Sequence, residues 1–299
     1  MAKKYQLVGD LTPDSMPAEG VIFDEDLLTT TAIGNIELDN GQAIIPAKGK
    51  TLKQVFETIF VKESNPTITQ PSVSLTFDQA KAYEVGTKVT PTYSASLTTG
   101  GYSYGPDTGI VPTSWEVTDT DDNSLNTASG SFPEIQVIDG TSYKVTAKAT
   151  YEDGTVPLTN TGNKYADGQI KAGNKSATSA AITGYRNSFY GTLTSKSDIT
   201  SDIVRALSGK SGKALSNGSS FTVTIPVGAL RVVIAYPATL RDLTSVQDVN
   251  GMNAEIASSF TQQLVDVEGA NNYTAIGYKV YVLDFANAND TANKFTVQI

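Results

Sequence analysis

Alternating apolar and polar positions dominate the chain from about residue 72 onward. In the stretch 72–77, Val73, Leu75 and Phe77 alternate with Ser and Thr, as expected of a strand with one buried face. Similar runs recur, separated by turn residues such as Asp-Gly pairs, at 88–93, 113–118, 133–137, 143–151, 220–225, 230–236, 278–283 and 295–299. Short strands with frequent turns predict antiparallel β-sandwiches.

One stretch near the N-terminus has helical spacing instead. Its apolar positions are Leu52, Val55, Phe56, Ile59 and Phe60. Thr51 followed by Gln54 predicts a capping box at the start of this helix. Upstream, 33–41 predicts a strand that enters an Asn-Gly turn, with 43–46 as its return strand. So few elements make a small core, and the apolar helix face needs a neighbour. That neighbour is either the next domain of the same chain or another protein, in which case the segment is an anchoring module.

These patterns predict a mainly β protein with a small α+β N-terminal module, residues 1–63, followed by two β-sandwich domains. Residues 64–71 contain two prolines, which end the helix and favour extended backbone, so this segment is predicted as a linker. The first sandwich, 72–183, is predicted to be immunoglobulin-like, with Trp115 as a core anchor. The second, 184–299, is β-rich with one short helix at 200–207.

The composition narrows the possible chemistry. The 299 residues include no histidine and no cysteine, which excludes Ser-His-Asp and Cys-His catalysis, cysteine- or histidine-ligated zinc, and iron-sulfur clusters. The net charge of −9 argues against a nucleic-acid partner, because phosphate binding needs a basic face. The sequence predicts no signal peptide and no transmembrane segment. We therefore expect a non-enzymatic protein without cofactor or metal.

Two stretches resemble known binding loops only in part. Residues 119–123 alternate oxygen-bearing side chains like the start of a calcium loop, but the glycine and glutamate required further on are absent, so a solvated turn is expected. Residues 208–213 contain Gly-Lys-Ser without the first glycine or the strand of a phosphate loop, and predict a flexible basic turn. Tyr102 and Tyr104 lie in a glycine-tyrosine loop that is either a contact surface or a hairpin tip.

Several stretches resemble structural proteins of tailed bacteriophages. In the C-terminal segment these are 184–193, 227–237, 278–281 and 293–299, and the N-terminal stretch 45–52 with its helix is similar to virion-attachment modules of the same group. The resemblance implies a small N-terminal module that docks on the capsid or tail, with immunoglobulin-like domains projecting outward.

We therefore expect a virion protein assembled in the host cytoplasm, most simply a capsid-attached head fibre or decoration protein. Its partners would be capsid or other virion proteins, with docking through the five apolar helix positions. Two alternatives stay open: a neck, tail or baseplate protein, and a module that binds a host-surface glycan or protein through Tyr102 and Tyr104. A homo-oligomer is implied by family analogy, since fibres are usually trimeric, but no heptad pattern supports one.

Overall fold

The computed structural model describes residues 22–299, so the start of the predicted N-terminal module lies outside the described residues. The strands up to residue 151 are β1 (Leu27–Thr29), β2 (Ala43–Ile45), β3 (Ile68–Thr69), β4 (Ser72–Thr76), β5 (Ala82–Glu84), β6 (Lys88–Val89), β7 (Thr92–Thr98), β8 (Gly101–Tyr102), β9 (Pro112–Asp119), β10 (Ser124–Leu125), β11 (Ser129–Ser131), β12 (Ile135–Gln136), β13 (Ser142–Tyr143) and β14 (Val145–Tyr151). The later strands are β15 (Gly173–Thr178), β16 (Ile182–Tyr185), β17 (Phe189–Leu193), β18 (Gly209–Lys210), β19 (Ser220–Ile225), β20 (Arg231–Pro237), β21 (Ser245–Asp248), β22 (Ala254–Glu255), β23 (Thr261–Val267), β24 (Ile276–Asp284) and β25 (Asn293–Gln298). The α-helices are α1 (Leu52–Phe60) and α2 (Ser201–Arg205), and short 3₁₀ helices lie at Ala166–Gly168, Ala257–Ser259 and Ala270–Asn272. With 43% strand and 8% helix, the predicted mainly β class is confirmed.

The chain folds into two compact units that interleave along the sequence. The first takes in the described residues up to Pro71 together with Thr99–Val111 and Glu152–Gly173. The second takes in Ser72–Thr98, Pro112–Tyr151 and Asn174–Ile299. Both predicted sandwich regions thus contribute to the second unit, whereas the predicted boundaries at 63, 72 and 184 assume that each domain is one continuous segment. The immunoglobulin-like assignment stays a prediction.

The N-terminal part of the first unit is built from β1, β2 and α1. The Asn-Gly turn is present: Asn40 and Gly41 both have positive φ, and Asp39 pairs with Gln42. The predicted partner of the return strand is wrong, however, because β2 pairs antiparallel with β1. Residues 33–36 instead form a tight turn in which Ile33 bridges to Ile36. A local turn at this point leaves no extended segment for 43–45 to pair with.

Residues 64–71, the predicted linker, form hydrogen bonds within the first unit. They include β3, which pairs with β8, and the Thr67 N–H donates to Ser103 Oγ at 2.8 Å. Asn160 contacts the start of the segment, accepting from the Ser64 N–H at 2.8 Å and donating to the Lys62 carbonyl at 2.9 Å. The prolines favour extended backbone as predicted, and extended backbone is also the conformation of a paired strand.

In the second unit, the first pair of sheets packs around an aromatic and aliphatic core. One sheet has the order β10-β9-β14-β15 and the other the order β11-β7-β4. The predicted strand 88–93 is wrong in its extent: β6 ends at Val89, and β7 begins after Pro91, which has no N–H to donate to a ladder. Val117 is fully buried in the core, whereas the predicted anchor Trp115 is half-buried and packs against it.

The C-terminal part of the second unit has three layers. A five-stranded sheet, β18-β17-β20-β24-β23, packs one face on the four-stranded sheet β19-β25-β21-β22. Its other face packs on Val204 of α2 and on Leu207, just after the helix. The central strand β20 is therefore buried on both sides, which explains the unbroken apolar run 232–236.

A close backbone contact joins these two parts of the second unit. The Ala270 N–H donates to the Val85 carbonyl at 2.8 Å. Gly86 has φ of 86°, and a Cβ there would lie 1.9 Å from the Ala270 carbonyl oxygen. Arg205 Nη1 donates to Glu84 Oε1 at 2.7 Å across the same junction. This contact spans more than 180 positions of sequence, and it joins residues of both predicted sandwich regions within the second unit.

Candidate functional site

Helix α1 begins with the predicted capping box. The Gln54 N–H donates to Thr51 Oγ1 at 3.3 Å, and the Thr51 N–H donates to Gln54 Oε1 at 2.8 Å. These bonds satisfy two of the backbone N–H groups that a helix start leaves unpaired. The helix start is therefore fixed by local sequence, and it determines which side chains face the module core.

One side of α1 forms a small core with β2. Val55 and Ile59 are buried against Ile45 and Ala47, and Phe23 and Ile36 pack around them. Leu52, at the first turn, is half-buried. Of the five predicted docking residues, Val55 and Ile59 thus support the module itself.

The adjacent side of α1 is apolar and exposed. Phe56 and Phe60 are 50% and 65% exposed, and their ring centroids are 6.1 Å apart, as expected for residues one helical turn apart. Val61, directly after the helix, is also exposed. We call Phe56, Phe60 and Val61 the helix patch. Of these three, Phe56 and Phe60 are predicted docking residues, and both are exposed.

A second exposed apolar pair, which the sequence interpretation missed, lies on the hairpin. Leu28 and Ile44 are direct cross-strand partners in β1 and β2 and are 67% and 57% exposed. We call them the hairpin patch. The signal was present in the apolar doublets 27–28 and 44–45, because successive strand residues face opposite sides and one of each doublet must point outward. Exposed apolar patches on a protein domain typically mark an interaction surface, and the helix patch and the hairpin patch are both of this kind.

The turn at Gly34 brings the chain directly against the end of α1. Gly34 has φ of 57°, and the Asn35 N–H donates to the Ile59 carbonyl at 2.7 Å. A Cβ on Gly34 would lie 2.0 Å from that carbonyl oxygen. Only glycine allows both the backbone conformation and the close approach.

We expect Gly34→Ala to destabilise the module by about 3 kcal/mol, because backbone strain adds to a clash that the helix backbone must relieve. Hydrogen exchange of the α1 amides would report this as faster opening. Gly41→Ala is the matched control, since Gly41 also has positive φ but nothing lies near its Cβ position. Equal effects of the two substitutions would contradict the proposed contact.

Glu63 ties the end of the module to the loop 159–163 of the same unit. Its Oε1 accepts from Thr159 Oγ1 at 2.8 Å, Thr161 Oγ1 at 2.9 Å and Asn163 Nδ2 at 2.8 Å. The hydrogen bonds from Asn163, Thr159 and Thr161 lower the pKa of Glu63 below its ordinary value of 4.5.

A group whose pKa is lowered by folding contributes stability that is complete above its unfolded pKa and is lost as pH falls through its folded pKa. We therefore expect the loop 159–163 to loosen as the pH drops below the ordinary value of 4.5. An NMR titration of the Asn163 side-chain amide would detect this change. Glu63→Gln should remove the pH dependence of that signal, and an unchanged titration in this variant would contradict the assignment.

The two predicted surface tyrosines differ in their surroundings. The Tyr102 hydroxyl donates to the Thr155 carbonyl at 2.9 Å and accepts from the Ile170 N–H at 3.1 Å. Tyr104 is 41% exposed. Tyr102 therefore holds its own unit together, and Tyr104 is the member of the pair available to a ligand; a binding role for this loop stays a prediction.

The acidic cluster 119–123 forms the turn between β9 and β10. Asp119 is 7% exposed, and its Oδ1 accepts from the N–H groups of Asp121 and Asn123 at 2.9 and 2.8 Å. Its Oδ2 accepts from Asn123 Nδ2 at 2.8 Å and from the Tyr143 hydroxyl at 2.9 Å. The predicted solvated turn is confirmed, since residues 120–123 are exposed, and the buried Asp119 carboxylate closes it from inside.

No protein-family model matches the sequence, no curated protein matches it, and no solved structure matches the fold. Within residues 22–299, no group of three or more His, Cys, Asp or Glu side chains is placed to hold a metal ion. In that same part of the chain, each helix is too short or too polar to cross a membrane. The exposed apolar patches of the N-terminal module are the site on which a functional hypothesis can be built.

Proposed function

We propose that the protein is a non-enzymatic structural component of a tailed-phage virion, which attaches through its N-terminal module as a head fibre or decoration protein. The observation that carries this proposal is the helix patch, where Phe56 and Phe60 lie exposed beside a helix side that already has its own core. The assembly to which the module would attach is proposed to be a virion because the sequence resembles tailed-phage structural proteins.

Docking would remove the exposed apolar side chains of both patches from water. Fully burying one large apolar side chain contributes roughly 1.5–3 kcal/mol, so covering the helix and hairpin patches would offset part of the entropy lost on attachment. Aromatic side chains near the centre of an interface are also those whose loss costs most. A neck, tail or baseplate location would use the same surface, and the experiment below separates these locations.

The proposal is tested on tailed particles purified from cells that carry the gene in its native genome. We expect mass spectrometry to detect the chain in a fixed ratio to the major capsid protein, and cryo-electron microscopy to show added density on the head. Density on the neck, tail or baseplate instead of the head would assign the protein to that part of the virion. Absence of the chain from the particles would overturn the proposal.

A further inference from the structure

A cavity in the second unit is open to solvent and large enough for a small molecule. It measures about 410 Å³, within the range of roughly 300–1,000 Å³ typical of ligand pockets. Its lining comes from the strand ends and loops around residues 139, 184–186, 214–215, 237–240 and 276. All of these lining residues belong to the second unit.

An ion pair fixes one polar group at this cavity. Arg186 is buried, and its Nε and Nη2 donate to Asp139 Oδ2 at 3.0 and 2.7 Å. Its guanidinium carbon lies 5.1 Å from the ring centre of Tyr273, which limits its movement further. The Asp139 side chain is 46% exposed, and its Oδ1 has no hydrogen-bond partner among the described residues. The carboxylate is therefore held in one orientation with a free acceptor oxygen.

Two hydroxyl groups belong to the same lining. Tyr185 and Thr239 both line the cavity, and neither hydroxyl is bonded to another group within residues 22–299. Burial and the nearby Glu84 raise the pKa of Tyr185, so its hydroxyl keeps its proton and can donate. A hydroxyl both donates and accepts, so the lining residues carry one free acceptor, two groups of mixed character and a free donor, the buried Arg186 Nη1.

The rest of the lining is apolar. Leu215, Leu240 and Ile276 are half-buried and line the cavity. Asp139 and Arg186 are the charged side chains among the lining residues, and at 2.7 Å their charges balance each other. A ligand with a net charge of either sign therefore gains little here over its hydration in water.

We propose that this cavity binds a neutral polyhydroxylated ligand, namely a single sugar unit of a glycan. Sugar hydroxyls would donate to Asp139 Oδ1 and exchange hydrogen bonds with the Tyr185 and Thr239 hydroxyls. The C–H face of the ring would pack on Leu215, Leu240 and Ile276. This inference does not depend on the proposed docking function, because it uses different residues in a different unit.

The test is an amide NMR titration of the full chain with D-glucose, D-galactose, D-mannose and N-acetyl-D-glucosamine. Each is added to about 50 mM, which would fill a site with a Kd of about 1 mM. We expect at least one sugar to shift the amide signals of 184–186 and 239–240. The double variant Tyr185→Phe/Thr239→Val should bind that sugar about tenfold more weakly, because two hydrogen bonds are lost.

The control double variant is Tyr104→Phe/Thr222→Val, which removes the same two hydroxyl groups from positions outside the cavity and should leave the Kd unchanged. The cavity variant removes hydroxyls without protein partners, so its melting temperature should stay that of the parent chain. Three outcomes would overturn the proposal: no shift of those amides with any of the four sugars, equal affinity in the cavity variant, or stronger shifts with acetate or methylammonium than with the sugars.

Discussion

A chain carrying Phe56→Asp and Phe60→Asp should fold normally and fail to enter particles. Both rings are largely exposed, so the two substitutions remove little core packing. In a docked state each would replace a buried apolar contact by a carboxylate that must lose its hydration. We expect occupancy on purified particles, measured by quantitative mass spectrometry against the capsid protein, to fall about 100-fold or more.

Leu264→Asp is the matched control for this loss. Leu264 lies on β23 and is 71% exposed, so the same change of chemistry is made outside the N-terminal module. Its occupancy should equal that of the parent chain. Parent-level occupancy of the Phe56/Phe60 variant would contradict the docking role of the helix patch, and an equal loss in both variants would indicate a general effect of added charge.

The substitution Asp119→Ala should cost the second unit about 3 kcal/mol of unfolding free energy. It removes the acceptor for the Tyr143 hydroxyl, which lies on a buried side chain, and for two backbone N–H groups of the β9–β10 turn. A donor left unsatisfied inside the protein costs its full desolvation. Urea unfolding followed by circular dichroism would measure the change.

Two further variants isolate the cause of this effect. Asp121→Ala, in the same turn but with an exposed side chain, should change the unfolding free energy by less than about 0.5 kcal/mol. Adding Tyr143→Phe to Asp119→Ala should recover part of the loss, because the unpaired hydroxyl is then absent. Strict additivity of Asp119→Ala and Tyr143→Phe would contradict the importance of the Asp119–Tyr143 bond.

The strands with regular alternation, and the capped helix, could be predicted from sequence. The stretch 72–77 gave β4 and 220–225 gave β19, because each buries every second side chain. Strand β23 was missed, since it lies at a sheet edge and most of its side chains are exposed, so no alternation marks it. The pairing of β2 with β1 was missed for a different reason: residues 33–36 form a tight turn where the sequence predicted a strand, and β2 pairs with a segment further upstream.

The candidate site could be predicted only in part. Helical spacing placed Val55, Phe56, Ile59 and Phe60 on one broad face, but spacing cannot say which part of a face the module covers itself. In the structure, Val55 and Ile59 are buried in the module core, whereas Phe56 and Phe60 are exposed to solvent. The sugar cavity had no sequence signal at all, because Asp139, Tyr185 and Thr239 come together only through the packing of the second unit.

The most direct test of the docking role is photo-crosslinking from the helix patch. Phe60 would be replaced by the photoreactive residue benzoylphenylalanine, and Tyr104 by the same residue in a control chain, before particles are assembled and irradiated. We expect the chain labelled at position 60 to become covalently joined to a head protein, and the chain labelled at position 104 not to be joined to one. Crosslinking to a virion protein from position 104 and none from position 60 would contradict attachment through the N-terminal module.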